Sequence, residues 1–70
     1  MTPHVAGFSA AECGLAACLL DHLSNHQIAA AMGSWHTTTV RRIRAMKQRF
    51  HVTTRTALVV ELARIEWEAA

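Results

Sequence analysis

Two capping boxes constrain this chain more than any other feature. In Ser9-x-x-Glu12 and again in Ser24-x-x-Gln27, a hydroxyl can accept from a free amide of a helix's first turn. The acid or amide three residues on can reach back to the cap's own amide. Two helix starts this close together commit the chain to short helices and tight connections. Phe8 precedes the first box and is placed for a hydrophobic staple onto Cys13. Leu15, Cys18 or Leu19, and Leu23 continue a helical stripe, which predicts a first helix over 9–22. After the second box, Ile28, Ala29 and Met32 share one face over 24–32, and Gly33-Ser34 stops that helix.

A third helix is predicted over 37–50, with Thr37, Thr38 and Thr39 as candidate caps. Thr39, Ile43, Met46 and Phe50 recur at helical spacing and form an inward face. Thr37, Arg41, Arg44 and Gln48 recur on the opposite one. His51 is expected to leave the helix and Val52 to pack back. A fourth helix is predicted over 54–67. Leu58, Leu62 and Ile65 form its stripe, Val59 and Ala63 widen it, and Val60 and Trp67 fall on another side. Pro3 and Gly7 make residues 1–7 an extended lead-in, and 68–70 a tail. The expected architecture is all-α, a four-helix, bundle-like helix-turn-helix domain over 8–67.

Seventy residues make one domain with a small core, burying about 60% of the unfolded chain's surface. At 51% hydrophobic residues the chain is not disordered. No uninterrupted apolar run is long enough for a membrane span, and no signal peptide is visible. Met1 and the short lead-in read as a native start. Cys13 and Cys18 point to different sides of one helix, so they are expected as reduced thiols of a cytoplasmic protein.

The net charge of +2 is modest, but its distribution is not. Arg41, Arg42, Arg44, Lys47, Arg49 and Arg55 fall in one window that contains no Asp or Glu. A solvated helix face is the plain explanation of such a run; a polyanion-binding surface is the functional one. The order helix, short helix, glycine turn, basic amphipathic helix favours the second. It is the layout of a helix-turn-helix, whose second helix enters the DNA major groove.

The same residues resemble the LuxR-type (GerE-type) helix-turn-helix domain. The family's apolar residue, Ser or Thr, and Glu three on are matched by Phe8, Ser9 and Glu12. Its Ser-Asn pair and following Ile-Ala are matched by Ser24-Asn25 and Ile28-Ala29. Met32, Thr38, Phe50-His51-Val52, Arg55 and Leu58-Val59 follow in register, without a gap from Phe8 to about Ile65. The resemblance implies dimerisation through the fourth helix, with Leu58, Val59, Leu62 and Ile65 at the interface. It places Val40, Arg41 and Arg44 at base-contact positions, and Thr37, Thr38, Arg42, Lys47 and Thr53 at or near phosphates. The chain also departs from the pattern. His22 and His51 stand where the family has Gly, so both turns are expected to be altered or strained. Val40 replaces Lys, Ser34 an apolar residue, and Trp35-His36 a small Ser and a polar residue.

Other chemistry is poorly supported. His22 and His26 have a zinc-type spacing, but a helix boundary separates them and no further ligands complete a site. His4, His36 and His51 are expected, like them, as surface or cap residues. Neither cysteine has an orienting His-Asp pair, and no metal, cofactor or enzymatic activity is expected. Trp35 reads as a lid on the core in preference to an exposed contact near DNA, and Trp67 as a dimer or tail contact. The expected function is a sequence-specific transcriptional regulator binding double-stranded DNA as a homodimer in the cytoplasm, on the nucleoid when bound. The alternative is a small antagonist that pairs with a full-length LuxR-type regulator.

Overall fold

The structure is a computed structural model that describes residues 3–5, 7–65 and 68–69. It is all-α with four helices: α1 (Ala10–Leu20), α2 (Asn25–Met32), α3 (His36–Arg49) and α4 (Arg55–Ala63). Two dipeptides, β1 (Pro3–His4) and β2 (Glu68–Ala69), pair antiparallel and bring the segments flanking the helices together.

Both capping boxes form. The Ser9 hydroxyl accepts from the Glu12 amide at 3.1 Å, and Glu12 Oε1 accepts from the Ser9 amide at 2.8 Å. Ser24 and Gln27 repeat this at 3.2 and 2.8 Å. Thr54 caps α4 by accepting from the Ala57 amide. α3 differs from the expected threonine cap. Its N-cap is Trp35, which makes no side-chain cap bond. Thr39 is instead buried in the first turn, its hydroxyl 3.4 Å from that of Ser34. Ser34 thereby gives a buried hydroxyl its partner.

Three helix ends close in one way. The amide of Leu23 donates to the Cys18 carbonyl, that of Ser34 to Ala29, and that of Val52 to Lys47. Each closure needs the preceding residue in the left-handed region. Those residues are His22 (φ 59), Gly33 (φ 62) and His51 (φ 57). The turns at the two histidines are thus made in the glycine conformation, by residues that carry a Cβ.

The core collects Leu15, Ala16 and Leu19 of α1, Ile28 of α2, Ile43 and Met46 of α3, and Leu58 and Leu62 of α4. Phe8 packs at its edge, with its ring centroid 6.1 Å from that of Phe50 in an edge-on arrangement. The fourth helix is shorter than 54–67. It ends at Ala63 with Arg64 as C-cap, and Ala63 is exposed rather than part of the stripe. Trp67 lies outside the described residues.

Candidate nucleic-acid interface

α3 presents distinct faces. Thr39, Ile43 and Met46 are buried. At about 100° per residue, Thr37, Arg41, Arg44 and Gln48 fall opposite them, and all four are exposed. Arg42, also exposed, lies on the flank towards α1. There it borders a shallow cavity with Arg49, Glu12, Leu15, Ala45 and Met46. Val40 and Lys47 share the other flank and are half-buried. Thr38 is half-buried in the first turn, and Thr53 is exposed between α3 and α4. The helix thus brings Thr37, Arg41 and Arg44 onto one outward face, with Arg42 and Lys47 on opposite sides of it.

Two cations of the basic window serve the fold. Arg49 donates to Glu12 Oε2 at 2.5 Å and to the Gly7 carbonyl at 2.5 Å. Its guanidinium carbon lies 4.4 Å from the centroid of the Phe8 ring. Arg55 donates to Asn25 Oδ1 at 2.6 Å and to the Leu23 carbonyl. The side chains of Arg41, Arg42, Arg44 and Lys47 make no hydrogen bond or ion pair among the described residues. Charge count could not separate these two groups. Helical phase could have assigned Arg49 to the flank facing α1, because it lies one residue after the outward-facing Gln48.

Two of the acids are paired with cations outside that set. Glu12 is held by Arg49, and Glu61 faces Arg64 at 3.5 Å. The Ser9 amide, against the opposing effect of burial and helped by the Ser9 hydroxyl and the Arg49 guanidinium, holds the Glu12 carboxyl below its ordinary range.

Aromatic groups cluster at the leading end of α3. Trp35 is 81% exposed, so it is not a lid on the core. Apolar residues do not surround it in sequence; Ser34, His36 and Thr37 do. His36 stacks on His26 of α2, with centroids 4.1 Å apart and planes 16° from parallel. Sequence spacing gave no sign of this pair, since the two rings meet across the turn.

The expected dimer residues are mostly internal. Leu58 and Leu62 are fully buried in the domain's own core, and Val59 and Ile65 are half-buried against it. The expectation that Leu58 and Leu62 face a second subunit is therefore corrected: α4 needs them to close on α1. What α4 leaves outward is Val60, 51% exposed, with Thr56 and Ala63.

Among the described residues no three His, Cys, Asp or Glu side chains gather where they could hold a metal. Cys13 is buried and Cys18 half-buried, both as free thiols. No helix among the described residues is long and apolar enough to cross a membrane. The chain matches no family model, no curated protein and no solved structure.

Proposed function

We propose that this chain is a DNA-binding transcriptional regulator of the LuxR type that sets α3 in the major groove. The observation that carries the reading is the set Arg41, Arg42, Arg44 and Lys47, four cations without a side-chain partner among the described residues, on a helix whose opposite face is anchored in the core. A helix held this way is a rigid rod that fits a groove about 12 Å wide. Arg41 and Arg44 stand where they could read base edges, with the guanidinium fork suited to guanine. Arg42, Lys47, Thr37, Thr38 and Thr53 are placed for phosphates on either side. The left-handed backbone at His22 and His51 supports the resemblance, because these are the two positions where the family uses Gly. Such a protein would work in the cytoplasm, on the nucleoid. Two copies would pair through the outward side of α4, around Val60 and Ala63, to place two reading helices in successive grooves.

The test is selection from random duplexes followed by mobility-shift titration. Arg41→Ala or Arg44→Ala is expected to cost about 1–3 kcal/mol on the selected site and to relax its sequence preference. Failure of the unaltered protein to bind any duplex at low salt overturns the proposal.

A further inference from the structure

We infer that Trp35 is a stacking platform for an unpaired nucleobase, so that this protein favours DNA with a locally opened or bulged base over a fully paired duplex. The inference rests on the reading of α3 as the nucleic-acid face. It adds a contact that a groove-reading helix alone does not have.

Three observations carry it. Trp35 is 81% exposed, in a chain that buries or half-buries both phenylalanines. It occupies the N-cap of α3 without capping it, a place where Ser, Thr, Asp or Asn would satisfy a free amide. The indole is thus neither core nor cap, and holding it in water has no return inside the domain. The neighbouring chemistry then suggests its occupant. Ser34, His36, Thr37 and Thr38 flank it in sequence, and Arg41 follows on the outward face of α3. No Asp or Glu lies between Leu23 and Val60. An exposed indole flanked in sequence by hydroxyls, with Arg41 six residues on, is not the contiguous apolar patch that a protein partner needs. It is the combination of a ring with a cationic track that single-stranded nucleic acid uses.

The His26–His36 stack strengthens this. The pair braces His36, the residue next to Trp35, against α2. The chain leading the indole is therefore tied to the fold, and less ordering remains to be done when a base arrives. A base inside an intact duplex has both faces covered by its neighbours. Only a base outside the stack can offer a face to the ring, and this sets the preference for opened DNA.

The experiment compares a matched duplex with the same duplex carrying one bulged thymine, in low salt, for the unaltered protein and for Trp35→Ala, Trp35→Leu and Trp35→Phe. The side chain is solvent-exposed, so these variants fold, which thermal melts verify. Trp35→Ala and Trp35→Leu are expected to weaken the bulged duplex about tenfold while changing the matched one little, and Trp35→Phe to retain most of the affinity. In a Trp67→Phe background Trp35 is the only tryptophan. Its fluorescence is then expected to be quenched by the bulged duplex far more than by the matched one. Equal affinity of Trp35→Ala and the unaltered protein for the bulged duplex overturns the stacking inference and leaves the α3 proposal standing. Equal weakening on both duplexes overturns it as well, placing the indole on the sugar-phosphate backbone. Rescue by Leu as good as by Phe also overturns it, because stacking needs a ring. No binding of the unaltered protein to either duplex overturns the α3 proposal and the inference with it.

Discussion

At His22 and His51 a side chain occupies backbone that glycine adopts without cost. Both residues have φ near 60° and both let a following amide close a helix end. Left-handed backbone costs an L-residue roughly 1–2 kcal/mol, part of which glycine returns through the entropy of the unfolded chain. His22→Gly and His51→Gly are each expected to stabilise the domain by about 0.5–1 kcal/mol, read as a rise of a few degrees in thermal melting. His22→Val should do the reverse, since a β-branched residue fits that region worst. A second residue-scale effect follows from Glu12. Its carboxyl is held below the usual range by Ser9 and Arg49, so the folded state favours the ionised form. That stability is present above the unfolded carboxyl's range and is lost as pH falls through the lowered value. Glu12→Gln is expected to flatten the acid limb of a stability–pH curve measured by urea unfolding. An unchanged acid limb would mean that Glu12 contributes nothing to it.

At the scale of elements, α3 and α4 each divide labour between fold and surface, and variants can separate the two. Arg49 ties α3 to α1 and to Gly7, so Arg49→Ala should lower the melting temperature. The Arg44 side chain makes no bond among the described residues, so Arg44→Ala should leave melting unchanged and weaken DNA binding. On α4, Leu62→Glu puts a carboxylate into a fully buried site and is expected to unfold the domain. Val60→Glu should keep the fold and abolish pairing, as read by sedimentation. Retained pairing in Val60→Glu would move the interface elsewhere. Sequence pattern made much of this visible. The two capping boxes located α1 and α2, and the Thr39–Ile43–Met46 spacing oriented α3. Amphipathic spacing could not say that the α4 stripe is consumed inside the domain, because a stripe looks alike whether its partner is α1 or a second copy. Nor could it foresee the end of α4 at Ala63 or the pairing of β1 with β2, a contact between opposite ends of the chain. The exposure of Trp35 escapes sequence pattern for a related reason. Indole is usually buried, and only the polar identity of its neighbours argued otherwise.

The whole molecule sets how many copies the proposed function needs. Its backbone spans 28 × 27 × 19 Å and carries one helix with an outward basic face, so one copy has one reading helix, while successive major grooves on one side of a duplex lie roughly 34 Å apart. One copy therefore reaches one groove, and a longer site requires two. Salt dependence counts the copies. Each phosphate neutralised by a Lys or Arg adds about −0.9 to the slope of log K against log salt concentration. Arg42 and Lys47 are the cations on the two flanks of α3, where phosphates of a groove's two walls would lie. Removing either one should reduce the slope by about 0.9 if one copy binds and by about 1.8 if a two-fold pair binds. The Val60→Glu variant supplies the internal check: if α4 pairs the copies, its slope should fall to about half, and Arg42→Ala or Lys47→Ala in that background should then remove only about 0.9. A slope that neither flank substitution alters would mean that α3 does not lie between phosphate walls at all. In that case the four free cations would be a solvated face, and the groove-binding proposal would fail at the scale of the whole molecule.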